Sequence, residues 1–138
     1  MFLGHYYNGN LSANSIIPKR RRFNTYLKEL VIKDHVIIKA KLHVALMSRG
    51  VGMTIDIWTD RRMINSYLSI TAHWFEGAKL HDGLLAFSVW PVTQSKTAES
   101  IKEKFLSVLS QYELTSRANR ILVNTDRGAN IDKLTYKL

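Results

Sequence analysis

Met53-Thr54-Ile55-Asp56-Ile57-Trp58-Thr59 alternates apolar and polar residues and is dense in β-branched and aromatic side chains, the pattern of a half-buried strand. If Ile55 and Ile57 face a core, the period of two sends Asp56 to the opposite face. A carboxylate in that place is uncommon, because charge is depleted from central strands and costly to bury unpaired. Two more strands follow at short intervals. Asp60-Arg61-Arg62 and Asn65-Ser66 read as a connection, residues 67–74 as the second strand, and Glu76-Gly77 as the turn after it. Asp82-Gly83 is expected to introduce a third strand, residues 84–89, which Pro91 stops.

The period then becomes helical. Ile101, Phe105, Val108, Leu109 and Tyr112 share one stripe across residues 97–112. Ser95 or Thr97 can cap this helix, and Glu99 suits its positive end. Residues 120–124 form a short apolar strand that runs into Thr125-Asp126-Arg127-Gly128, and another helix is expected from near Ala129. A three-stranded meander followed by a helical crossover to a fourth strand is an α/β arrangement.

Upstream lie two segments of different character. Residues 1–18 carry the breakers Gly4, Asn8, Gly9, Asn10 and Asn14 and close on Pro18, so they are expected to be a disordered lead-in. Residues 19–50 read as a basic helical segment, with Phe23, Leu27 and Leu30 on one face and Ile38, Leu42 and Ala45 or Leu46 continuing the spacing. Lys33-Asp34-His35 is expected to divide or kink it, and Gly50 stands where a helix would be capped. Residues 51–138 form the α/β part.

Charge is distributed unevenly. The net charge is +9, and residues 1–50 hold nine Lys/Arg against Glu29 and Asp34. A basic arm before a nearly neutral domain suits a polyanionic partner, since neutralising phosphates releases counterions. Lys19-Arg20-Arg21-Arg22 can contact phosphate or act as a nuclear import signal; it can equally be a solvated helix start. The absence of cysteine excludes disulfides, a cysteine-based zinc finger and a thiol nucleophile from this sequence. No apolar run suits a signal peptide or approaches the ~20 residues of a membrane span, so a soluble intracellular protein is expected, with no membrane partner.

Two aspartates stand in telling places. Asp56 lies mid-strand, and Asp126 ends the fourth strand before a glycine turn. If strand one neighbours strand four, the carboxylates can meet and offer hard oxygen ligands to Mg2+ or Mn2+. Two such ions ~3.5–4 Å apart activate a nucleophile and stabilise a leaving oxygen in phosphodiester cleavage. The plainer alternative makes Asp56 an edge carboxylate and Asp126 a turn residue.

Five ordered blocks resemble hAT (hobo/Activator) transposases in their hobo/Hermes-like form. They are residues 54–60, residues 66–74, Leu80-His81-Asp82-Gly83-Leu84-Leu85-Ala86-Phe87, Thr97-Ala98-Glu99-Ser100-Ile101, and the block from Val123 through Asp126 to Ile131. The resemblance implies a ribonuclease H-like fold, here the N-terminal part of the catalytic domain, with a large helical insertion after it. It implies metal-dependent DNA cleavage and strand transfer by two aspartates and a distant glutamate. Asp56 and Asp126 match the two aspartates as catalytic residues and metal ligands; the glutamate would lie beyond Leu138. Relatives often carry a histidine before the Thr97 block, where this chain has Lys96. Glu99 reads as a dipole partner rather than a substitute carboxylate.

The expectation is therefore a truncated ribonuclease H-like fold in which Lys19, Arg20, Arg21 and Arg22 bind DNA. The chain is expected to be nuclear, to take no small-molecule substrate, to be inactive alone and to be marginally stable or self-associating. A domesticated, non-catalytic DNA- or protein-binding module is the alternative. Trp58, Trp74 and Trp90 are read as core or strand-surface residues rather than base-stacking platforms, and the five histidines as structural or exposed.

Overall fold

The computed structural model describes residues 19–62 and 64–125. The chain divides into two compact units, Met1–Val36 and Ile37–Leu138. In the first, the described residues form the opening turns of helix α1, Arg20–Ser48. Lys33-Asp34-His35 does not interrupt this helix, contrary to expectation: none of the three is a glycine or proline, and all can donate to the helical ladder. The first turn holds arginines and no acid.

The second unit holds the rest of α1, then β1 (Val51–Thr59), β2 (Ser66–Glu76), β3 (Lys79–Trp90), α2 (Ala98–Gln111), a short 3-10 turn (Thr115–Arg120) and β4 (Ile121–Thr125). The sheet order is β3-β2-β1-β4, with the first three strands antiparallel and β4 parallel to β1. This is the meander and helical crossover expected from the sequence, a mixed α/β fold consistent with a ribonuclease-like domain.

Both helical elements of this unit bury their apolar stripes on one side of the sheet. Leu42, Ala45 and Leu46 of α1 and Ile101, Phe105, Val108 and Leu109 of α2 pack with Met53, Ile55, Leu68, Ile70, Ala72 and Trp74. α1 ends at Gly50, whose φ of +90° needs glycine and whose N–H reaches the Ala45 carbonyl at 2.9 Å. Thr97 caps α2: its hydroxyl accepts the Ser100 N–H, and the Ser100 hydroxyl accepts the Thr97 N–H. Tyr112 is buried after α2, and its hydroxyl donates to the Leu85 carbonyl.

The turn at Glu76-Gly77 lies where the sequence puts it, but the third strand starts earlier than expected. Asp82-Gly83 does not introduce β3; both lie within it, and the reversal is at Gly77, with φ +61°. Gly83 is there for close packing instead, because a Cβ would meet Trp74 ring carbons at 3.2 Å and Ile38 Cδ1 at 3.1 Å.

Candidate functional site

The alternation of β1 settles where Asp56 points. Ile55 is fully buried and Ile57 packs against the core, whereas Asp56 between them is exposed. It therefore projects from the sheet face opposite the two helices. Asp56 has no hydrogen-bond or ion-pair partner among the described residues, which leaves its carboxylate oxygens available.

Register assigns its neighbours. β1 pairs Asp56 with Ser69, Thr54 with Thr71 and Trp58 with Tyr67, so these side chains share the open face. On the other side Thr54 pairs with Asn124 and Ile55 with Thr125. The parallel ladder thus runs up to the residue before Asp56 on one strand and the residue before Asp126 on the other. Asp126 lies outside the described residues.

The open face has a polar centre and an aromatic corner. Thr54, Ser69, Thr71 and Asn124 supply oxygen atoms around Asp56, and the Thr54 hydroxyl is hydrogen-bonded to His73 Nε2 at 3.1 Å. None of these polar neighbours was singled out in the sequence. Counting alternate residues outward from Asp56 along β1, and across to β2, would have found them. At the corner, Trp58 stacks on Tyr67 with centroids 5.7 Å apart, and Phe87 lies 5.8 Å from each. Lys96 Nζ donates to Thr59 Oγ1 at 2.9 Å, so the residue that stands in place of a histidine comes to the end of β1.

The remaining expectations divide. Lys19, Arg20, Arg21 and Arg22 are exposed at the start of α1, in the other compact unit. Glu99 sits exposed in the first turn of α2, as a dipole partner would. Trp74 and Trp90 are buried and Trp58 lies on the strand surface. The histidines have structural company: His43 Nε2 is 3.1 Å from the Tyr112 carbonyl, and His81 stacks on Trp74. His5 lies outside the described residues. No group of three or more His, Asp or Glu side chains suited to a metal gathers among the described residues. No helix among them is long and apolar enough to cross a membrane.

Charge on the helix side of the sheet is spent on structure. Glu76 Oε1 accepts from Lys41 Nζ at 2.7 Å and from Trp74 Nε1 at 2.9 Å, tying the β2–β3 hairpin to α1. Those two hydrogen bonds hold its carboxyl below the usual range. Glu113 is likewise lowered by its hydrogen bond to Lys39.

Comparison with known proteins agrees with this architecture. Residues 54–138 match the family described as the ZBED1 RNase-like domain. The chain is also 28% identical over 131 residues to the Drosophila melanogaster protein named Transposable element Hobo transposase, covering 95% of this chain and 20% of that one. The chain thus spans about a fifth of the length of this relative. The matched region begins at Thr54, inside the strand that carries Asp56, and takes in every later element of the sheet. With fold, ordered motifs and family match in agreement, the chain belongs to the ZBED1 RNase-like domain family and is a hAT-related, hobo-like chain.

Proposed function

We propose that Asp56 and Asp126 are the divalent-metal pair of a DNA-processing core of the hAT transposase type. The observation that supports this is the parallel pairing of β1 with β4 as far as Ile55 and Thr125, one residue short of both aspartates. The donors on hand fit the ion: an exposed Asp56 carboxylate, without a partner among the described residues and surrounded by hydroxyl and amide oxygens, is suited to Mg2+ or Mn2+ rather than to a thiophilic metal. When bound, such an ion supplies activation of the attacking oxygen and stabilisation of the leaving one in phosphodiester cleavage. The chain's own contribution is a rigid strand that holds Asp56 in place, with Ile55 and Ile57 anchoring it from behind.

On this reading the two aspartates act as one metal-binding unit. Calorimetry with Mn2+ on the native chain, Asp56→Asn and Asp126→Asn tests the pairing. Binding that either substitution weakens at least tenfold supports it. A folded sample that binds no Mn2+ refutes it.

A second reading, a nuclear DNA-holding module without catalysis, is favoured by one feature. Arg20, Arg21 and Arg22 occupy the first turn of α1, where the helix dipole repels cations. A phosphate backbone alongside would relieve that repulsion. Lys19, Arg20, Arg21 and Arg22 are its proposed DNA contacts. Duplex binding that survives Asp56→Asn, with no metal requirement, would select this reading.

A further inference from the structure

The aromatic corner of the open face differs from a covered strand surface in three ways. Trp58 and Phe87 are 39% and 57% exposed, yet they and Tyr67 form a closed triangle of rings. Trp58 is two residues from Asp56 on the same face, about 6.7 Å along the strand. Cations gather at this end of β1: Arg61 and Arg62 are exposed in the connection to β2, and Lys96 reaches Thr59. The nearby acid Asp60 is engaged inside the turn, accepting the Ile64 N–H at 3.0 Å and the Asn65 side-chain amide at 3.4 Å. Asp56 is the other carboxylate on this part of the face.

Exposed aromatic rings beside cations are the recognition chemistry of single-stranded nucleic acid, in which bases stack on rings and the backbone follows the positive charge. We propose that Trp58, stacked on Tyr67 and tilted against Phe87, is a stacking platform for an unpaired base of the DNA strand, with Arg61, Arg62 and Lys96 lying along its phosphates. The inference rests on the DNA-processing reading above and adds to it the form of the substrate: a strand locally unpaired next to Asp56. A duplex keeps its bases stacked on each other and offers none to Trp58.

Trp74 and Trp90 are buried, so oligonucleotide quenching of intrinsic fluorescence reports mainly on Trp58. The chain is titrated with a ten-nucleotide oligothymidylate and with a duplex of equal length, binding being followed in parallel by anisotropy of a labelled strand. The expected result is quenching by the single strand alone, a roughly 5- to 100-fold loss of single-strand affinity in Trp58→Ala, and near-native affinity in Trp58→Phe. Phe87→Ala, at a more exposed position, is expected to weaken binding several-fold and serves if Trp58→Ala fails to fold. Single-strand binding without quenching, affinity unchanged in Trp58→Ala and Phe87→Ala, or equal quenching by the duplex overturns the platform. So does concentration-dependent self-association that Phe87→Ala abolishes, because a second copy would then be the occupant. The Mn2+ titration separates the two ideas: metal binding without single-strand binding sinks the platform alone, and Trp58-dependent binding without metal sinks the metal pair alone.

Discussion

Asp56 is a costly residue for a strand. Its side chain gains nothing from burial, and aspartate is among the poorer strand formers. Asp56→Thr is therefore expected to stabilise the chain by up to about 1 kcal/mol in urea denaturation while abolishing Mn2+ binding. Destabilisation by that change would mean that Asp56 has a structural partner. Gly83 is under the opposite constraint. Gly83→Ala places a methyl group against the Trp74 ring and Ile38, and an overpacking loss of about 1–3 kcal/mol is expected in the same assay. Titration links Glu76 and Glu113 to stability as well. Both carboxyls are lowered in the folded chain, chiefly by hydrogen bonds from Lys41 and Lys39. Their contribution is thus present above the unfolded carboxyl pKa and disappears as pH falls through the lower, folded one. Glu76→Gln is expected to lower stability at neutral pH, to leave it little changed below the folded carboxyl pKa, and so to flatten the acid-side slope in pH-dependent thermal melts.

Among the elements, α2 is the best specified. Its stripe from Ile101 to Leu109 is buried as the spacing implies, and Thr97 supplies the cap. Thr97→Ala is expected to cost about 0.5–2 kcal/mol, read from denaturant midpoints. The strands were legible for a related reason: one face of each is buried, so hydrophobic alternation survives in the sequence. Two features were not legible. The start of β3 was hidden because Asp82-Gly83 carries a turn signature of its own after the Glu76-Gly77 turn, and nothing in one sequence shows that Trp74 covers Gly83. The grouping of Trp58, Tyr67 and Phe87 was hidden because it depends on the register shift in the β2–β3 pairing. Asp56 itself was legible from its flanking isoleucines. Its pairing with Asp126 was inferred from strand order, which the β1–β4 ladder supports up to Thr125.

The second compact unit presents a sheet with helices on one face and, among the described residues, none on the other. Leu84, Val89 and Leu122 are all more than half exposed, and β3 and β4 are the edge strands among the described residues. Exposed apolar surface next to unpaired strand edges favours association. The chain alone is expected to self-associate at micromolar concentration in sedimentation velocity; a monomer that unfolds cooperatively would show that the face is tolerated bare. The ladder beside Asp56 has a further consequence, for the order of assembly. β1, β2 and β3 zip through adjacent hairpins, but Val51 finds Ile121 only after β2, β3 and α2 have all been laid down. Closure over so long a span carries the larger entropic penalty and rewards the chain late. Among the described residues β4 is also the shortest strand, held by a single neighbour. Its amides are therefore expected to exchange with deuterium sooner than those of β2, through openings that leave the meander intact. The meeting of the two carboxylates, on the two-aspartate reading, would then be the last feature acquired during folding and the first to be lost.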